Sequence, residues 1–189
     1  MDMKFLAYII FAAIYSFLIK PAEAKTQVLS PTYAKNVEAN YNKASSEKTW
    51  VLQKDQAFEV ELNSKKLKDI VFAPFKDNIV KFVLLTPGGR SIIQSLPQSD
   101  LAVVNMFSFL KVNAVSFKDI NGDGTKDILV LTTYFDSRPV QGDGIGGGTA
   151  KVGYAFISNK DEFMLNDDCG EDVAGLSALE KCLRRKLKK

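Results

Sequence analysis

The densest run of chemistry-bearing side chains lies in Asp119–Leu131, "DINGDGTKDILVL". Asp119, Asn121 and Asp123 occupy alternate positions, the Thr125 carbonyl can face inward, and Asp127 returns a last carboxylate. A hard divalent cation takes several oxygen donors, and calcium accepts irregular sets of about six to eight. Gly122 and Gly124 let the backbone curl around a centre. Three carboxylates packed so closely repel one another unless a cation sits between them. An all-oxygen donor set favours calcium over magnesium. The alternative is a plain Asn-Gly or Asp-Gly hairpin with solvated acids. It accounts for one Asp and one Gly, but not for acids or amides at the first, third, fifth and ninth positions. The pattern is not that of an EF-hand, because Val130 stands where a bidentate Glu is required.

Other constellations carry less. The chain has no histidine, which removes the commonest general base and the usual transition-metal ligand. Any catalysis would rest on carboxylates, Lys or Tyr. Asp167, Asp168 and Glu171 could form a carboxylate pair for glycoside cleavage, or be solvated acids ahead of a helix. "GDGIGG" (142–147) matches a dinucleotide-binding pattern by letter. The strand-like "TAKVGYAFI" follows it, where that chemistry needs a helix N-terminus. Cys169 and Cys182 read as a disulfide if the chain is exported, with free thiols or a metal pair as alternatives. The basic end "RRKLKK" is either a solvated helix face or a contact for anionic lipid.

The elements that must position these residues are mostly strands. "AFEVELN" alternates Phe58, Val60 and Leu62 against Glu59 and Glu61, as a half-buried strand does. "DIVFAPF", "IVKFVLL", "SIIQSL", "KVNAVSF", "DILVLTTYF", "KVGYAFIS" and "EFML" follow, joined by short turns that include "TPGGR". Residues 101–110 fit a short buried helix or a strand equally. Short links without intervening helices predict antiparallel pairing, so the fold class is mainly β: antiparallel sheets, partly propeller-like or a sandwich. A C-terminal helix is predicted from Asp172 onward, with Leu176, Leu179, Leu183 and Leu187 on one stripe. Residues 25–49 read as a polar, loosely packed arm with a helical turn or two, and 50–189 as one β-rich domain.

Residues 1–24 have the order of a cleaved signal peptide: Lys4, an apolar run from Phe5 to Ile19, then Pro21, Ala22 and Ala24. The run is shorter than the roughly 18–20 residues of a membrane span. Its two acids and two lysines cancel, so the exported part keeps the net charge of +3. A near-neutral, exported chain is not expected to use nucleic acid as its main partner.

"VSFKDINGDGTKDILVL" resembles the FG-GAP or VCBS calcium-loop unit, in which Asp-x-Asn-x-Asp-Gly-x-x-Asp bridges two strands. The resemblance implies Asp119, Asn121, Asp123 and Asp127 as side-chain ligands of Ca2+ and Thr125 as a carbonyl ligand. Arrays of such units make propellers, but only one copy is present here. From Val112 to Leu165 the chain is also similar to small exported bacterial proteins with a single such loop, followed by a tyrosine-bearing strand, a glycine-rich loop and another strand. Some of these are periplasmic inhibitors or immunity proteins against peptidoglycan-cleaving, lysozyme-like enzymes. That likeness implies a non-enzymatic periplasmic or secreted protein whose partner is a secreted or toxin-like cell-wall hydrolase. The implied contact residues are Tyr134, Arg138, Asp143, Gly144 and Gly146. A calcium-dependent adhesion or glycan-binding module is the second expectation. The glycine-rich loop itself is either a contact element or a slack connector.

Overall fold

A computed structural model of the protein describes residues 25–45, 49–64, 67–98, 107–137 and 147–188. The expected signal peptide, and Arg138, Asp143, Gly144 and Gly146, lie outside the described residues. Among the described residues there are ten strands and two α-helices. They are β1 (Thr26–Val28), α1 (Pro31–Ala44), β2 (Val51–Leu52), β3 (Phe58–Glu61), β4 (Asp69–Lys76), β5 (Val80–Leu85), β6 (Ile92–Ser95), β7 (Phe107–Lys118), β8 (Asp127–Asp136), β9 (Gly148–Asn159), β10 (Glu162–Asn166) and α2 (Leu176–Lys186). A single 3-10 turn, Lys54–Gln56, precedes β3.

The strands form two sheets, and every pairing is antiparallel. One has the order β1-β3-β4-β5-β6, with β2 also on β4; the other runs β10-β9-β8-β7. The mainly-β expectation is met as a sandwich. Neither sheet closes into a barrel among the described residues.

Period-2 alternation decides the layers. On β4, Ile70 and Phe72 face the second sheet, while Val71, Ala73 and Phe75 face away from it. On β8, Ile128, Val130 and Tyr134 face inward, and Leu129 and Leu131 outward. Between the sheets the rings of Phe72, Phe82, Tyr154 and Phe156 pack at 5.0–6.1 Å between centroids. Each outward apolar face is covered by a helix: α1 on the first sheet, α2 on the second. The order of layers is helix, sheet, sheet, helix. Where the sheets meet at one edge, the Gln94 side chain caps the open edge of β10. Its amide Nε2 donates to the Phe163 carbonyl at 2.8 Å, and its Oε1 accepts from the Phe163 N–H at 3.0 Å.

The N-terminal region is not the loosely packed arm that its polarity suggests. α1 has 14 residues and starts with Pro31 directly after Ser30, whose Oγ accepts from the Tyr33 N–H. That is a favoured N-terminal arrangement. Ala34, Val37 and Tyr41 share its buried face, and the Tyr41 ring stacks on Phe75 at 3.8 Å. Polar residues on its flank also work: Glu38 accepts from the Leu52 N–H, and the Asn42 amide bonds both backbone groups of Trp50.

The "TPGGR" turn lies under α1. Gly89 has φ +66°, and a Cβ there would stand 2.6 Å from Val37 Cγ2. Gly89→Ala is therefore expected to cost about 2 kcal/mol through backbone strain and overpacking. An unchanged urea midpoint would show that α1 does not bear on the turn.

Of residues 101–110, which fit a helix or a strand equally by sequence, 101–106 lie outside the described residues and 107–110 begin β7. α2 starts at Leu176, later than the Asp172 start expected, because Asp172 adopts φ +46° and the backbone reaches helical geometry only after Gly175. Leu179 and Leu183 are buried, whereas Leu187 is exposed beyond the helix. Among the described residues, no helix is long and apolar enough to cross a membrane.

Candidate functional site: the Asp119–Asp127 loop

β7 and β8 run antiparallel from the pair Lys118↔Asp127, and the candidate cation loop joins them at that end. Gly122 and Gly124 take φ +84° and +86°, the left-handed values that make the loop curl. Asp119 draws the turn closed: its Oδ1 accepts from the Gly122 N–H at 2.6 Å and its Oδ2 from the Gly124 N–H at 2.9 Å. Asp123 Oδ1 accepts from the Thr125 N–H at 2.7 Å, and its Oδ2 from the Asn121 side-chain amide at 3.0 Å. Asn121, Gly122, Asp123 and Gly124 are exposed.

Asp127 is different in kind. It is 0% exposed. Its Oδ1 accepts from the Ser158 N–H at 2.7 Å, near the end of β9. Its Oδ2 accepts from the Ile120 N–H at 2.7 Å and, more weakly, from the Asn121 N–H at 3.4 Å. One carboxylate thus ties the loop's first residues to a third strand. Burial pushes its carboxyl above the usual carboxylate range. The three N–H donors oppose that shift, and the neighbouring Asp123 charge adds to it.

Two further anchors hold the loop. The Lys126 N–H donates to the Leu62 carbonyl of the first sheet at 2.9 Å. Arg184 of α2 donates to the carbonyls of Asp119 at 3.0 Å and Ile120 at 3.3 Å. Arg184 is held in turn by Glu180, whose other oxygen accepts from Lys118 at 2.7 Å. The Lys118 hydrogen bond, assisted by Arg184, holds the Glu180 carboxyl below its ordinary value. A depressed carboxylate stabilises the fold above its unfolded pKa and loses that contribution as pH falls through the folded one. Glu180→Gln should therefore flatten the acid limb of a stability–pH profile below about pH 4.5. A variant with the same acid limb as the parent would deny the ion pair any role.

The donor types fit a hard cation: all are oxygens, and a carboxylate oxygen that accepts one N–H, as both oxygens of Asp119 do, keeps a second lone pair, whereas Asp127 Oδ2 already accepts two. Convergence is a separate matter. Among the described residues, no three Asp, Glu or Cys side chains lie close enough to hold one metal ion together. Asp119 and Asp127 direct their oxygens to backbone N–H groups instead.

The expected partner-contact residues divide. Tyr134 does not belong to a contact surface. It is 2% exposed, between the sheets, with its hydroxyl 2.6 Å from that of Tyr154. Burial pushes both hydroxyls' pKa values upward. The inward phase shared by Ile128, Val130 and Tyr134 was a signal available in the sequence. Phe135, one residue on, is 41% exposed beside Gly147 and was not singled out. β8 also separates the candidate cation loop from the glycine-rich connection. The candidate loop ends at Asp127, at the start of the 10-residue β8, and the glycine-rich connection leaves after Asp136, at its end. At ~3.3 Å per residue they stand about 30 Å apart. The strand β9 begins at Gly148, so no helix follows the "GDGIGG" match.

The cysteines form the disulfide Cys169–Cys182, with Cα atoms 6.1 Å apart. It joins the segment after β10 to α2. Gly170 lies flat against β9: its carbonyl accepts from the Gly153 N–H at 2.8 Å, and a Cβ on it would come 2.7 Å from the Gly153 oxygen. Asp167, Asp168 and Glu171 line a surface depression of about 650 Å³ beside the disulfide. Compared with known proteins, the chain matches no family model, no curated protein and no solved structure.

Proposed function

We propose that this is an exported, non-catalytic binding protein that inhibits a peptidoglycan-cleaving, lysozyme-like enzyme, acting in the periplasm or after secretion as an inhibitor or immunity factor. The observation that carries the reading is the β8–β9 pair. Its register runs without a shift from Ile128↔Phe156 to Asp136↔Gly148. A long, regular hairpin is a stiff mount for a contact loop. Residues 137–147 connect its strands, and exposed Phe135 offers an apolar anchor at the base. Arg138 and Asp143 would supply polar contacts to the hydrolase cleft, with Gly144 and Gly146 allowing close backbone approach.

The cation belongs to the other end of the hairpin. Asp119, Asn121, Asp123, the Thr125 carbonyl and Asp127 would hold Ca2+. Bound there, it would neutralise the clustered acids and lock the β7–β8 corner. It would support the scaffold and take no part in the contact surface. Titrating calcium into chelated protein should release or absorb heat. At a hundredfold excess over Kd it should stabilise the fold by about 2.7 kcal/mol. No heat and no shift in melting would remove calcium from the account.

The inhibitor reading is tested with purified protein and a panel of peptidoglycan hydrolases. A stable complex and slowed cell-wall lysis are expected, both weakened by Phe135→Ala. Neither complex nor inhibition across the panel would overturn it. Exposure of Asn121, Gly122, Asp123 and Gly124 favours a second reading, a calcium-dependent adhesion or glycan-binding module. That module would bind surface polysaccharide and release it on chelation.

A further inference from the structure

The two peptide groups that follow Asp119 and Ile120 are each gripped from both sides. A trans peptide unit points its C=O and its N–H in opposite directions. In the unit joining Asp119 to Ile120, the carbonyl accepts from Arg184 Nη2 at 3.0 Å and the N–H donates to Asp127 Oδ2 at 2.7 Å. In the unit joining Ile120 to Asn121, the carbonyl accepts from Arg184 Nη1 at 3.3 Å and the N–H donates to the same Oδ2 at 3.4 Å. A guanidinium on one side and a carboxylate on the other thus clamp two consecutive peptide planes. The charges polarise the peptides in the same sense, and such chains of hydrogen bonds reinforce one another.

We propose that Arg184 is a positioning residue for the loop: together with Asp127 it orients the backbone from which Asp119 and Asn121 project, so that α2 sets the geometry of the cation donors. The part of this inference that concerns cation affinity rests on the calcium reading above; the clamp does not. Arg184 is itself aimed. Glu180 takes its Nε at 3.1 Å, one helical turn earlier, and Lys118 at the end of β7 fixes Glu180. Leu179 and Leu183 of α2 pack with Ile120 in one cluster, and Cys182 ties the same helix to Cys169. The guanidinium fork suits two neighbouring carbonyls in a way that a lysine ammonium, a single point charge, does not.

The test compares the full exported chain with its R184M and R184K variants, reading amide hydrogen exchange residue by residue and calcium binding by calorimetry. Without calcium, R184M should speed exchange at Ile120, Asn121 and Gly122 about tenfold or more, while the amides of β4 and β5 keep their rates. R184K should fall between, because it can serve one carbonyl but not both. If R184M loosens α2 as a whole, R184K decides instead: faster exchange at residues 120–122 with α2 still protected supports the clamp, and parent-like exchange there overturns it. Calcium affinity should fall at least fivefold in R184M and less in R184K. Equal exchange at residues 120–122 in all three proteins overturns the clamp. Faster exchange with unchanged calcium affinity overturns the link from α2 to the donors. Should the parent itself give no calcium heat, the calcium reading fails and the exchange rates alone decide the clamp.

Discussion

Asp127→Ala is expected to lower the unfolding free energy by about 3–4 kcal/mol, the largest loss from any single side chain of the loop. The carboxylate accepts two short bonds and one long one from backbone N–H groups, at a position with no exposed surface. Removing it strands the N–H groups of Ile120 and Ser158 where water cannot replace it. Each such orphan costs about 1–3 kcal/mol. Relief from burying a charge offsets part of this, since burial disfavours the ionised form. Asp127→Asn keeps the shape and one acceptor but turns an NH2 toward an N–H group, so it should lose about half as much. Urea unfolding measures both: the midpoint should fall while the slope is unchanged. A loss under about 1 kcal/mol for the alanine variant would mean that the corner stands without its carboxylate.

The second large effect concerns the covalent strap. Replacing Cys169 and Cys182 together by serine is expected to cost about 3 kcal/mol, from the conformational freedom regained by the unfolded chain. The loss should be uneven in space. The inter-sheet core, built on Phe72, Phe82, Tyr154 and Phe156, makes no use of the bridge. α2 depends on it more, because only Leu179 and Leu183 are fully buried on that helix. Hydrogen exchange should therefore accelerate first in α2 and the 167–175 segment, and later in β8 and β9. If α2 kept its protection in the serine variant, packing against Leu129 and Leu131 would by itself suffice to hold it.

These two expectations act on one structure from different sides. Asp127 secures the loop to β9, and the disulfide secures the helix that carries Arg184. The loop's own acids contribute little to either, since Asp119 and Asp123 mainly shape the turn. The proposed contact end of the β8–β9 hairpin lies far from this corner. If the proposed calcium and partner both bind, loss of calcium should weaken stability before it weakens partner binding.

Most strands could be read along the chain because alternation and turn chemistry are local. Phe58, Val60 and Leu62 alternate with Glu59 and Glu61 whatever they later pair with, and the glycines of "TPGGR" and "NGDG" mark turns on their own. α1 was legible too, in Ser30, Pro31 and the spacing of Ala34, Val37 and Tyr41; its polar flank obscured it. Asp119, Asn121 and Asp123 could be nominated as cation donors from spacing alone.

What the sequence by itself determined is most of the strands from Phe58 onward, their antiparallel character, the C-terminal helix and the oxygen-rich loop, since each depends on residues a few positions apart. Only the tertiary structure decided that Asp127 is a buried tie to β9 and that Arg184 of α2 holds the loop's first carbonyls. The partners responsible are remote along the chain: Ser158 lies 31 residues from Asp127, and Arg184 lies 65 from Asp119. Hydrogen bonds and burial depend on distance in space, and the sandwich alone brings those residues together.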